Sequence, residues 1–144
     1  MSEPVNAAVF GVGSMGRHHA RVYSELPNVN LVGVHDADEE TARSVARDHG
    51  TRTLGMDAAL RKADVASIAV PTEYHYAVAR DCIDHDVDAL VEKPFVADPA
   101  EGRELSAEAS AAGVTLQVGH IERFNPAVRT LSEIVAGLDV IAVD

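Results

Sequence analysis

The chain has one cysteine, no tryptophan, two lysines and an aromatic share of 4% in 144 residues. The single thiol, Cys82, has no partner for an internal disulfide and no neighbours for a cysteine metal cluster, so no metal site is expected. It falls one helical turn after Val78 on the apolar side of a helical segment, the place of a small core residue. No apolar run approaches the roughly 20 residues of a membrane span. Met1-Ser2-Glu3-Pro4 has neither the basic start nor the apolar stretch of a signal peptide, so a cytoplasmic protein with no membrane partner is expected. Positive charge is scarce as well: 12 basic residues stand against 23 acids, for a net charge of −11. Such a surface repels nucleic-acid phosphates and anionic lipid, and neither is expected as a partner. Acid excess, few aromatics and only Lys62 and Lys93 as lysines also fit adaptation to a high-salt cytoplasm.

What remains is enough for one globular domain with a real core, since 47% of residues are hydrophobic. Their pattern alternates between strand and helix. Val5 to Phe10 is a nearly continuous apolar run, as in a strand buried on both faces. Residues 14 to 26 switch to helical period, with Met15, His19, Val22 and Leu26 on one stripe. Asn30 to His35 reads as a strand and Asp38 to His49 as a helix closed by Gly50. A short third strand is expected near Arg52 to Leu54. Val65 to Val70 is a strand, followed by a helix from about Glu73 to Asp86, and Ala89 to Val91 is another strand. Asp98-Pro99-Ala100-Glu101 combines an N-cap, a first-turn proline and a carboxylate at N3, and starts a helix to about Ala112, with Gly113 at its exit. Val114 to Val118 is a strand. Asn125-Pro126 repeats the cap-plus-proline signal before a helix to about Ala136, ended by Gly137. Leu138 to Val143 reads as one more strand.

Strands alternating with helices predict right-handed crossovers and a parallel sheet covered on both faces. Gly11-Val12-Gly13-Ser14-Met15-Gly16 sits at the first crossover, directly after a strand and at the opening of a helix. In that context the three glycines serve a tight turn, close approach of a diphosphate to the backbone, and close helix–strand packing. The free N–H groups and dipole of the helix start hold the diphosphate without a lysine. Asp36 ends the second strand 20 residues after Gly16, where its carboxylate can accept from both hydroxyls of an adenosine ribose and repel a 2′-phosphate. NAD is therefore favoured over NADP. Asp38 competes for that role but is better placed as the N-cap of the next helix. The fold expected is α/β, a doubly wound parallel Rossmann sheet of order 3-2-1-4-5-6. A methyltransferase, with its own glycine-rich turn and later acid, is the alternative ligand class.

Three more groups fall at the carboxyl edge of the predicted sheet: Pro71-Thr72 with His75, Glu92-Lys93-Pro94, and His120-Ile121-Glu122-Arg123-Phe124-Asn125-Pro126. Each has a bland reading as a helix start, a first-turn residue or a surface ion pair. In this order after Gly-x-Gly-x-Met-Gly-x-x-His-Ala-Arg (Gly11 to Arg21), they resemble the N-terminal domain of the Gfo/Idh/MocA family of sugar and cyclitol dehydrogenases. Glu-Lys-Pro is the most specific element. The stretch Gly119 to Pro126 is most similar to members acting on nucleotide-linked amino sugars.

The resemblance implies NAD(P) held by Gly11, Gly13, Ser14, Met15, Gly16 and Asp36, with the Val70-Pro71 backbone passing the diphosphate and Thr72 and His75 nearby. It implies Glu92 on the nicotinamide ribose, Lys93 between nicotinamide and substrate as the catalytic residue, and His120 and Arg123 towards the nicotinamide side. It further implies a sugar or nucleotide-sugar substrate, and a second α/β domain that binds it, forms a homo-oligomer and supplies an Asp and a His to catalysis. Residues 1–124 are then the dinucleotide-binding unit, and 125–144 a connecting helix and first strand of that missing domain. The chain alone is expected to bind NAD and turn over slowly or not at all. The contrasting expectation is a stand-alone NAD(H)-binding sensor or regulatory module. One departure from the family pattern is local: Asp86 stands where glycine commonly precedes the fifth strand, and a left-handed C-cap is expected there.

Overall fold

The apolar run near the start of the chain folds as β1 (Val5–Phe10). Ala7, Ala8, Val9 and Phe10 have no exposed surface, because successive side chains leave opposite faces of the strand and both faces are covered. In the computed structural model, which describes residues 3–136, four further strands join β1: β2 (Val29–His35), β3 (Val65–Ile68), β4 (Asp88–Val91) and β5 (Leu116–Val118). All pairings are parallel and the order is β2-β1-β3-β4-β5. The expected third strand is reduced to a single parallel bridge of Thr53 to Val34. That bridge lies on β2, away from β1, so the order agrees with 3-2-1-4-5-6. The predicted strand at Leu138 to Val143 lies outside the described residues.

The helices are α1 (Gly16–Glu25), α2 (Glu39–Asp48), α3 (Met56–Leu60), α4 (His75–Asp84), α5 (Pro99–Ala112) and α6 (Pro126–Val135). Short 3-10 turns at Thr72–Tyr74 and Ile121–Phe124 precede α4 and α6. Two apolar clusters form, as double winding requires. Val9, Val12 and Val34 pack with Ala20 of α1 and Ala42 and Val45 of α2. Ala8, Phe10, Ile68 and Val91 pack with Leu60, Val78, Cys82 and Leu105 from α3, α4 and α5. Cys82 is a core residue, and burial pushes its thiol up to about 12.

The caps are as the sequence predicts. Asp38 accepts from the Glu40 and Thr41 N–H groups, and those bonds, that from Thr41 first, hold its carboxyl below the ordinary aspartate value. Asp98 and Asn125 cap α5 and α6, each followed by proline. Asp86 has φ +56°, the left-handed conformation expected at that helix exit.

Two readings need correction. The helix over 73 to 86 begins as the 3-10 turn and becomes α-helical only at His75. In α1 the stripe Met15, Val22, Leu26 is exposed, at 42%, 42% and 44%. The face laid on the sheet is Gly16, Ala20 and the half-buried His19 and Tyr23. A helix pressed tightly onto strands selects small side chains for its contact face, so residue size there runs opposite to the usual hydrophobic signal.

Candidate functional site

Because every strand is parallel, the ends of β1 to β4 open on one edge, and the loops that follow them gather there. A cavity of about 1000 Å³ lies along this edge. Its wall includes Gly11, Gly13, Ser14 and Met15 after β1, Asp36 after β2, Val70, Pro71, Thr72 and His75 after β3, and Glu92 and Lys93 after β4. Gly16 lies beneath the turn. His120 and Arg123 stand outside the cavity wall and are exposed, whereas their neighbours Ile121 and Glu122 line it. His35, Met56 and Tyr74 also contribute. Met56 comes from α3, whose five residues are too few to show a helical period in sequence.

The turn is constrained where it meets the fold and open where it meets the cavity. Gly11 has φ +80°, and a Cβ there would stand 2.6 Å from the Val70 nitrogen. A Cβ on Gly16 would stand 1.7 Å from the Gly11 carbonyl oxygen. At Gly13 a Cβ would meet nothing within 4 Å. The start of α1 has no capping side chain and no acid in its first turn. The N–H groups of Gly13, Ser14 and Met15 find no acceptor among the described residues. Free donors at a helix start, beside open space, make an anion cradle.

Asp36 is tied to this cradle. Its Oδ2 accepts from the Val12 N–H at 2.7 Å and its Oδ1 from the Asp38 N–H at 2.9 Å. One bond to each oxygen fixes the carboxylate plane and leaves further lone pairs on the cavity side.

Across the edge, Glu92 is buried at 7% exposure. Its Oε1 lies 2.9 Å from His19 Nε2, and its Oε2 accepts from the Lys93 N–H at 3.3 Å. Gly119 is pressed on the same carboxylate, so that a Cβ there would stand 3.2 Å from Oε1. Lys93 itself is exposed and forms no ion pair among the described residues. The Lys93–Pro94 peptide is cis.

His75 is 1% exposed and bridges two loops. Its Nε2 is 2.9 Å from the Val70 carbonyl oxygen, and its Nδ1 is 2.9 Å and 3.2 Å from those of Pro94 and Phe95. Both ring nitrogens are committed to backbone, tying the loop after β4 to the end of β3. His75→Leu removes the ring and its N–H donor from between these buried carbonyls and is expected to lower stability by about 2 kcal/mol. Urea denaturation of the two proteins measures it, and an unchanged midpoint would show that the bridge carries no stability.

A glycine cradle, a carboxylate on the neighbouring strand end and an open parallel edge together define a dinucleotide-binding Rossmann domain. A family model described as an oxidoreductase family with an NAD-binding Rossmann fold matches residues 5–120, and the chain belongs to that family, Gfo/Idh/MocA. It is 37% identical over 130 residues to a UDP-N-acetylglucosamine 3-dehydrogenase of Acidithiobacillus ferrooxidans, covering 90% of this chain and 41% of that protein. It is 34% identical to an inositol 2-dehydrogenase of Mycolicibacterium vanbaalenii, covering 95% of the chain and 41% of the relative. The solved structure of the A. ferrooxidans enzyme superposes with a TM-score of 0.86 at 36% identity, over 93% of this chain and 44% of that one. GenD2 from gentamicin A biosynthesis, solved in complex with NAD, gives 0.88 at 33% identity, over 94% and 40%. The chain thus spans about two fifths of the length of these relatives.

Proposed function

We propose that this chain binds NAD along the carboxyl edge of the sheet, and that it is the cofactor domain of a dehydrogenase acting on a sugar or nucleotide-sugar hydroxyl. The observation that carries the reading is the placing of two carboxylates at either side of the anion cradle. Asp36 follows β2 and Glu92 follows β4, three strand spacings apart in the order β2-β1-β3-β4, or roughly 14 Å. Two riboses joined by a diphosphate meet both acids when the diphosphate lies on Gly13, Ser14 and Met15. The donor set suits an anion because those N–H groups find no acceptor among the described residues and Gly13 leaves room beside them. Asp36 accepts from the adenosine ribose and disfavours a 2′-phosphate by repulsion, so NAD is preferred to NADP.

Bound NAD would supply a hydride acceptor or donor at the nicotinamide ring. Lys93 follows Glu92 at the edge of the cavity, with its ammonium free of any ion pair among the described residues. There its ammonium can hold the oxygen of a substrate hydroxyl and stabilise the alkoxide charge that develops as the hydroxyl proton passes to water, a charge that would be discharged when hydride leaves carbon. His120 and Arg123, on the segment after β5, are assigned to the nicotinamide side, next to Ile121 and Glu122 of the cavity wall. The relatives run to more than twice the length of this chain, and the oligomer contacts and further sugar contacts are assigned to the part of them that it does not span.

Titration of the 144-residue chain with NAD, NADP and S-adenosylmethionine tests the cofactor assignment. Saturable binding of NAD in preference to NADP, with no binding of S-adenosylmethionine, is the expected result. Preference for S-adenosylmethionine would overturn it.

A further inference from the structure

Besides the Cys82 thiol, three polar or charged side chains are buried among the described residues: Ser67, His75 and Glu92. Two of these belong to one hydrogen-bonded chain that runs between α1 and the sheet. Tyr23 Oη is 2.8 Å from Ser67 Oγ, Ser67 Oγ is 3.1 Å from His19 Nδ1, and His19 Nε2 is 2.9 Å from Glu92 Oε1. Tyr23 and His19 come from α1, Ser67 from the middle of β3, and Glu92 from the loop after β4. A carboxylate can only accept, so the proton of the neutral imidazole is on Nε2. Nδ1 then accepts from the Ser67 hydroxyl, and Ser67 Oγ accepts from the Tyr23 hydroxyl. All donors point one way, towards Glu92.

This arrangement does more than satisfy a buried acid. An acid placed in a core for packing alone is outperformed by an apolar residue of similar size, yet this one faces the cavity. Gly119 walls it from the other side, so its direction is set by contacts on both flanks. We propose that His19 is a positioning residue: with its ring fixed by Ser67 and Tyr23, it aims the Glu92 carboxylate at the nicotinamide ribose. The proposal rests on the NAD reading of the cavity and adds the device that orients its second acid.

Titrations with NAD and with ADP separate positioning from mere support of the fold. ADP carries the adenosine ribose and diphosphate but has no nicotinamide ribose to meet Glu92. His19→Leu is expected to weaken NAD about tenfold, the loss of one charge-assisted contact, while ADP affinity stays within twofold. His19→Gln, whose amide N–H reaches towards Glu92, restores most of the loss. Should His19→Leu fold poorly by circular dichroism, Ser67→Ala serves instead, with a smaller loss confined to NAD. Equal weakening of NAD and ADP, or no change in NAD, overturns the positioning role. A wild-type chain that binds ADP but not NAD overturns the cofactor reading itself, and His19 with it. An Asp36→Ala chain with undiminished affinity for both ligands contradicts only the adenosine-end assignment.

Discussion

Gly16→Ala is expected to cost about 3 kcal/mol of stability or more, because the added methyl cannot be accommodated by a side-chain rotation. Its nearest neighbour would be the Gly11 carbonyl oxygen at 1.7 Å, so α1 must lift away from the turn or the turn must leave β3. Gly11 has no slack to give, since its own Cβ position already lies against the Ala69 and Val70 backbone. Gly13→Ala makes the matched control. With nothing within 4 Å of that Cβ, stability should stay within about 0.5 kcal/mol, while NAD affinity falls because the methyl occupies the space a diphosphate needs. Urea unfolding and calorimetric titration of both variants give the four numbers. Comparable stability of Gly16→Ala and wild type would contradict the packing described for the turn. Unimpaired NAD binding by Gly13→Ala would contradict the cradle.

Asp36→Ala is expected to weaken NAD by about 10- to 100-fold, the range for removing a charged acceptor of two hydroxyl bonds. It should also narrow the preference for NAD over NADP, because the negative charge that opposes a 2′-phosphate is gone. A smaller effect on stability accompanies it, since the Val12 N–H loses its partner at 2.7 Å. Calorimetry with both dinucleotides reads the first two effects and urea unfolding the third. If the variant keeps its affinity and its preference, Asp36 holds the turn and nothing more.

Much of this was legible in the sequence, for physical reasons that differ by element. β1 is readable because a strand buried on both faces must be apolar throughout, and no surface residue interrupts Ala7 to Phe10. The starts of α2, α5 and α6 are readable because an N-cap needs a short acceptor side chain, here Asp38, Asp98 and Asn125. The left-handed Asp86 follows from the place of glycine in the family pattern.

What escaped was set by tertiary contact. The contact face of α1 is made of Gly16 and Ala20, which no apolar stripe reveals, and the larger Val22 and Leu26 point to solvent. The third strand position shrinks to Thr53 because only one residue there meets β2. In the site, the glycine turn, Asp36 and Glu92-Lys93 come together as their order along the sheet requires. His75 lines the cavity as its place in the sequence predicts, but its hydrogen bonding to Val70, Pro94 and Phe95 joins loops too far apart along the chain for sequence to reveal.

The contact of His19 with Glu92 is not legible in the sequence because the two lie 73 positions apart. One signal did exist. Ser67 is the lone polar residue in the run Val65 to Val70, and a hydroxyl in a fully buried strand needs a partner. Here that partner is His19, with Tyr23 behind it.

The central claim is that one NAD lies across the strand ends from Asp36 to Glu92. Backbone amide shifts of the isotope-labelled 144-residue chain, followed through an NAD titration, test it most directly. The account predicts saturable shifts at Gly13 to Met15, at Asp36 and Ala37, at Val70 and Thr72, and at Glu92 and Lys93. Shifts confined to the opposite edge of the sheet, or none at saturating NAD, would contradict it.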